Sequence, residues 1–366
     1  MKFSKTLLVA VVMTAAPLAL AESNVTLYGS IDGAVAVQKE KGRTATVQLM
    51  DGVAGGSVWG LEGTEELGNG YSVGFNLENS YTMDDGAGGE SGLAWAKQAS
   101  LNVSGGFGTL AFGRIGGLAS YEGTYSIWDA SPFGTDYLQI GLGNAFVTGQ
   151  INNNTVHYSS PEFSGLQLHL QYSNGTEADT QKWSRNAHYF GIGATYEIGG
   201  LNLAGIVERF DNKGEDDVKP TMVYSLSAAY DFEAAKVYFG YQYASHFHGF
   251  DQSEDWVFAG KGLNQNAFTL GAEVPAAGGT FKAAVNYGFG KIKSMDKVTL
   301  KDVDAAPDRD KFDRLGVGAA YEYPLSKRTM VYSWGAWQKG GKALKTAEVR
   351  GDFENWSLGV GMRHEF

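Results

Sequence analysis

Long stretches of this chain alternate apolar and polar residues with a period of two, and few folds accept that pattern. Residues 25–38 read VTLYGSIDGAVAVQ. Val25, Leu27, Gly29, Ile31, Gly33, Val35 and Val37 share one face, and Thr26, Tyr28, Ser30, Asp32, Ala34, Ala36 and Gln38 share the other. A period of two is a strand signal, and fourteen residues exceeds most soluble strands. The pattern returns in 166–173, 281–289 and 356–366, where Trp356, Leu358, Val360, Met362, His364 and Phe366 oppose Ser357, Gly359, Gly361, Arg363 and Glu365. Sixteen such segments are expected: 25–38, 57–67, 71–83, 95–104, 107–114, 155–160, 166–174, 187–198, 201–210, 221–231, 234–244, 265–275, 279–289, 313–323, 329–339 and 353–366.

The connections between them alternate as well. Seven are short turns, such as 68–70, 105–106, 199–200 and 276–278. Eight are long: 39–56, 84–94, 115–154, 175–186, 211–220, 245–264, 290–312 and 340–352. An even number of strands with short turns at one end is the pattern of an outer-membrane barrel. The expected fold is all-β, a 16-stranded antiparallel transmembrane β-barrel with short periplasmic turns and long extracellular loops. Its apolar face meets lipid and its polar face lines a wet lumen. A sandwich buries one face and rarely needs strands this long, and no fixed-period repeat supports a propeller. The mean hydropathy of −0.21 excludes a bundle of membrane helices but suits a wall that averages a lipid face with a wet one. The 51 glycines argue against long helices and suit turns and close-packed wall positions.

Residues 1–21 form a separate unit. Lys2 and Lys5 precede an apolar run, and Ala19-Leu20-Ala21 offers a small-x-small cleavage site. The expected organisation is a removed signal peptide, 1–21, and one barrel domain, 22–366. Loss of the two lysines takes the formal charge from −11 to −13. That acidity argues against a nucleic-acid partner. The absence of cysteine excludes a disulfide scaffold, thiolate metal sites and cysteine nucleophiles.

Six motifs, in order along the chain, resemble the Gram-negative general porins of the betaproteobacterial and neisserial type. They are VTLYGSID from Val25, WGLEGTEELGNG from Trp59, SGGFGTLAFGR from Ser104, VHYSSPEFSGL from Val156, YPLSKRTMVY from Tyr323 and GMRHEF from Gly361. The resemblance implies a homotrimer with one pore per subunit and a third long loop folded into the barrel. It also implies that the C-terminal strand, through Phe366, His364 and Met362, is the signal read by the barrel-assembly machinery. Lipid and lipopolysaccharide are the expected surroundings.

The loop at 115–154 supports the infolding from its own residues. It is the longest connection, and unstructured loops beyond about 12–15 residues are usually functional. Tyr121, Tyr125, Trp128, Phe133, Tyr137 and Phe146 give it an apolar character that needs a wall to pack on; the alternatives are a lid over the mouth or a contact with a neighbouring subunit. Its acids are Glu122, Asp129 and Asp136, and with Tyr121 they are the candidate constriction residues. The resemblance sets such acids against wall residues. Lys97 sits where the family often has arginine, Arg114 matches an arginine at the base of the loop, and His157 replaces a common arginine. Val58 and Glu62 sit where many relatives carry bases. Asp32, His169 and Arg314 complete the candidate pore wall. Each of these charges also fits a merely solvated wall position, and Arg114 a loop-anchoring or intersubunit bridge. The acids Asp32, Glu62, Glu78, Glu208 and Glu273 face Lys97, Lys236, Lys282, Arg314 and Arg363, which predicts weak cation preference or little selectivity.

No enzyme motif appears, and six histidines are scattered over distant segments. The His246-Phe247-His248 pair lacks a third ligand, and the acids between Asp302 and Asp313 lack the spacing of a calcium hand. No cofactor is expected. The expected function is passive diffusion of small hydrophilic solutes and ions through a wet channel, filtered by size and charge at 115–154. A channel specific for sugars or peptides is the alternative, and an enzyme or adhesin on a barrel scaffold is a third class.

Overall fold

The computed structural model describes residues 24–89, 92–120, 123–134, 136–137, 140–141, 145–147, 151–175, 186–211, 219–247, 262–293, 310–345 and 353–366. Residues 1–21 and the cleavage site expected there lie outside these. The described residues hold seventeen strands in one antiparallel sheet. In chain order they are β1 (Asn24–Glu40), β2 (Thr46–Asp51), β3 (Val58–Gly68), β4 (Tyr71–Ser80), β5 (Gln98–Gly105), β6 (Gly108–Gly116), β7 (Ile151–Ser159), β8 (Leu166–Ser173) and β9 (Tyr189–Ile198). They continue with β10 (Leu201–Phe210), β11 (Thr221–Asp231), β12 (Lys236–Phe247), β13 (Leu263–Ala276), β14 (Gly279–Ile292), β15 (Lys311–Pro324), β16 (Thr329–Lys342) and β17 (Glu354–Glu365).

Each strand from β3 onward pairs with its successor, and β17 returns to β1 from Ser30↔Glu365 to Glu40↔Asn355. The terminal residue joins the seam: Gly29 N–H donates to the Phe366 carbonyl at 3.2 Å, and Phe366 N–H donates to Gly29 at 3.0 Å. The sheet therefore closes on itself along its staves, which is what a backbone in hydrocarbon requires.

The wall has sixteen staves, because β2 and β3 share one. The first half of β1 pairs with β3, from Asn24↔Thr64 to Ser30↔Val58, and the second half pairs with β2, from Gly33↔Asp51 to Gln38↔Thr46. Strand β2 is the one strand absent from the sequence expectation, where it fell inside the loop 39–56. Its six residues are too few for a period-two signal, although Val47 and Leu49 do point outward.

The alternation translates directly into two faces. Val25, Leu27, Val35, Ile192, Leu226, Leu270, Val360 and Met362 are exposed on the outside. Ser30, Asp32, Ala34, Ala36, His169, Gln171 and Ser173 are buried on the inside. At the short-turn end, the β3–β4 and β13–β14 hairpins turn on Asn69-Gly70 and Ala277-Gly278, all four at positive φ. That is the hairpin turn whose twist matches the strands, and it strongly favours glycine at the second position. Exposed Tyr71 and Phe107 lie together near that end, as do Tyr230 and Phe232, in keeping with an interfacial girdle.

Leu226, central in β11 and 54% exposed, tests which face meets lipid. Leu226→Arg is expected to lower the urea unfolding stability in vesicles by about 2–4 kcal/mol, the cost of a cation near the bilayer midplane. Glu62→Gln on the inner face is expected to leave it unchanged.

Candidate functional site

The described residues of the segment between β6 and β7, 117–150, run inside the barrel rather than above it. At its base the Gln171 amide donates to the Gly116 carbonyl at 2.9 Å. Leu118 N–H donates to the Tyr189 hydroxyl at 3.1 Å, and that hydroxyl donates to Glu208 at 2.7 Å. Ala119 N–H also reaches Glu208, at 3.4 Å. Glu208, counted as a lumen acid from the sequence, is instead buried beneath the loop and holds its first turn.

Further on, wall amides satisfy the loop backbone. Thr124 N–H donates to Gln98 at 3.1 Å. Gln242 both accepts from Val147 N–H at 2.7 Å and donates to the Val147 carbonyl at 2.8 Å. Asn286 donates to the carbonyls of Ile140 at 2.7 Å and Gly141 at 3.2 Å. A buried peptide group without such a partner would be costly. Inward-facing glycines give the loop room. A Cβ at Gly193 would lie 2.5 Å from Ile127, at Gly240 2.7 Å from Ala130, at Gly271 2.5 Å from Pro132, and at Gly318 2.5 Å from Ile140. Leu118, Trp128, Ala130 and Phe146 close an apolar cluster with Ile206 and Ala267 of the wall. The described loop residues thus line the inner wall from β9 round to β15, with Thr124 and Tyr125 reaching back to β5 and β7.

The candidate residues fall into separate groups. Asp129 pairs with Lys236 of β12 at 3.3 Å. Asp136, near the loop tip, faces Arg363, Asp32, Lys97 and Lys282. Burial pushes its carboxyl up to about 6, against the opposing pull of Arg363, Lys97 and Lys282 and with the help of Asp32. Beside it, the Tyr137 hydroxyl donates to Glu322 at 2.6 Å, and Lys282 pairs with Glu322 at 2.9 Å. Tyr121 and Glu122 lie outside the described residues.

Arg114 donates to the Ala96 carbonyl and to Asn153, both at 2.7 Å, so it ties the approach to β5 to the start of β7. His157 is buried under the Tyr125 ring, with centroids 4.5 Å apart. It shares a hydrogen-bonded ladder with Ser159 (2.8 Å), His169 (3.0 Å beyond) and Thr195 (3.3 Å beyond that). Arg314 packs beside Gly288 on the inner face of β15. Asp32 is fully buried and accepts from Tyr332 and Ala54. Glu62 remains open to water. It lines a lumen cavity of about 370 Å³ with Thr26, Asn76, Gln98, Asn102 and Tyr125. At the seam, Met362 and Phe366 point outward and His364 meets the Thr329 hydroxyl at 2.9 Å. Asp310 and Asp313 of the acidic cluster pair with Lys291 and Lys342; Asp302, Asp304, Asp308 and His248 lie outside the described residues.

Gln98, Gln242, Asn286 and Glu322 were not singled out in the sequence. Their signal is an amide or acid on the polar face at a position that turns out to be under the loop, and strand alternation cannot tell that from a water-facing one.

Three comparisons bear on this site. A family model described as Gram-negative porin matches residues 7–342. An outer membrane porin protein of Bordetella pertussis is 31% identical over 99% of this chain and 100% of its own length. The major outer membrane protein P.IB of Neisseria meningitidis serogroup B is 28% identical over 98% and 99%. Among solved structures, the anion-selective porin from Comamonas acidovorans superposes with a TM-score of 0.67 at 25% identity, covering 94% of this chain and all of that one.

Asp136 gives a pH test. Its raised pKa means that the charged form is disfavoured in the folded loop. The resulting contribution to loop docking is present at low pH and lost as pH rises through about 6. Between pH 7 and 5 the loop tip therefore loses a negative charge. The reversal potential in a salt gradient is expected to move toward anions over that range, and Asp136→Asn is expected to remove most of the movement.

Proposed function

This chain belongs to the Gram-negative porin family, and from that premise we propose that its pore is filtered by the loop 117–150 acting against the charged inner wall. The protein is an outer-membrane general diffusion porin, a multi-pass barrel that forms a water-filled channel for small hydrophilic solutes and ions. Porins are channels rather than enzymes. The observation that carries the filtering is the repeated attachment of the loop's described residues to the inner wall, from Leu118 on Tyr189 to Val147 on Gln242.

Asp136, Lys97 and Arg363 are the constriction charges in this reading. Glu62 and Glu78 line the unoccupied side of the lumen, where a low-dielectric wall concentrates their field. Glu78 accepts from the Tyr28 hydroxyl at 2.9 Å. Several bases are neutralised locally: Lys236 by Asp129 and Lys282 by Glu322. This balance favours weak cation preference, in contrast to the anion-selective relative. Three further elements belong to the same reading: assembly as a homotrimer among outer-membrane lipid and lipopolysaccharide, recognition of the strand ending at Phe366 by the barrel-assembly machinery, and removal of residues 1–21 during export.

A sugar- or peptide-specific channel would set aromatic rings along its path. Trp128, Phe133 and Tyr137 are instead buried against the wall and Tyr125 alone of the described loop rings lines the lumen cavity, which favours the general porin.

Recording in planar bilayers tests this. Conductance is expected to rise linearly with salt and to be unaffected by added sugars or peptides, with a small reversal potential of cation-preferring sign. Glu62→Lys is expected to shift that potential toward anions. Saturable, solute-blocked current would support the specific channel instead.

A further inference from the structure

Between Asp51 and Val58 the chain leaves the wall, in the gap where the pairing of β1 passes from β2 to β3. Residues 52–57 turn into the lumen there. Val53, Ala54 and Ser57 are buried, and Asp32 of β1 organises the turn. Ala54 N–H donates to its carboxylate at 2.6 Å, Gly52 N–H donates to its carbonyl at 3.1 Å, and its own N–H donates to the Ser57 hydroxyl at 3.1 Å. The other carboxylate oxygen accepts from Tyr332 of β16 at 2.5 Å.

The turn then meets two pore elements. The Val53 carbonyl accepts from Tyr137 N–H at 2.7 Å. Tyr137 is at a φ of 58°, a conformation that a bulky side chain adopts only when its surroundings hold it. Those surroundings are the Val53 carbonyl, Glu322 and the ring of Tyr332, whose centroid lies 5.8 Å away. On its other side, Gly55 lies against Arg363: a Cβ there would come within 2.9 Å of the guanidinium carbon.

We propose that residues 52–57, fixed by Asp32, form a second jaw of the constriction that positions both the tip of loop 117–150 and the Arg363 guanidinium. This rests on the reading that loop 117–150 narrows the pore. The two segments together line the barrel from β9 round to β1 and reach β5 and β7 through Thr124 and Tyr125, so the water path is left beside β3 and β4, where Glu62 lines the lumen cavity. Asp32 is a positioning residue in this arrangement, acting through Ala54 and Val53 on Tyr137.

The test uses the full chain in planar bilayers. Asp32→Ala removes the acceptor for Ala54, and single-channel conductance is expected to rise about 1.5- to 2-fold as the tip loosens, since the narrowest section sets the current. Asp32→Asn keeps one acceptor oxygen and is expected to restore the parent value. Gly56→Cys supplies a readout that leaves Asp32 intact. Gly56 has only a Val58 methyl near its Cβ position, at 3.9 Å, and the chain has no other cysteine. Cationic and anionic methanethiosulfonate reagents are expected to label it, reduce the current and shift the reversal potential in opposite directions. Failure to label, or full labelling with unchanged current and selectivity, overturns the proposal. Asp136→Asn separates the two readings. If it shifts selectivity and the jaw variants do nothing, the second jaw alone is wrong; if it too is silent, the constriction itself lies elsewhere.

Discussion

Everything in this molecule follows from the need of a peptide group in hydrocarbon to find its hydrogen-bond partner within the protein. A flat sheet would leave two rows of unpaired groups, so the seam between β1 and β17 is the step that makes the rest possible. The seam runs to the last residue, with Phe366 and Gly29 exchanging both backbone hydrogen bonds. Closure in turn frees the inner face from any packing duty toward a core. Side chains there can be charged, amide or absent altogether, as the lumen requires.

The same need reappears inside the barrel. A loop that fills part of the lumen gives up water contacts along its backbone, and each lost contact must be replaced. The wall replaces them with side chains rather than with a ladder: Gln98 for Thr124, Asn286 for Ile140 and Gly141, Gln242 for both groups of Val147. A side-chain partner allows an irregular path, which a strand ladder would forbid. It also explains the inward glycines at 193, 240, 271 and 318, where close approach of the loop leaves no space for a methyl group.

Strand alternation is a local, repeated signal, and it gives most of the sixteen staves to within a few residues; 95–104 has no clear facing in the sequence, and 155–160 catches only the second half of β7. What remained hidden depends on long-range placement. Strand β2 is short and sits in a segment that reads as loop, and nothing local reports that residues 52–57 bend inward to Asp32. Glu208 and Glu62 occupy equivalent inward positions in their strands, yet one lies beneath the loop and the other faces water. Only the course of 117–150 separates them, and no periodicity encodes that course. The histidines show the same limit. His157 and His169 alternate onto the polar face as expected, but a tyrosine ring covers the first and a hydroxyl ladder occupies both.

Charges in the lumen therefore form two populations. One is structural: Glu208 under Leu118 and Ala119, Asp32 under Ala54, Arg114 on Ala96, and Glu322 between Tyr137 and Lys282. Their fields are largely met by fixed donors or acceptors within hydrogen-bond distance, so they shape the channel more than they bias the ions in it. Glu62 belongs to the other population: it is exposed on the lumen cavity and faces the remaining water. A simple count of inward charges mixes the two. An ion in the path feels a charge that is near and uncompensated far more than one already matched by a hydrogen-bonded partner.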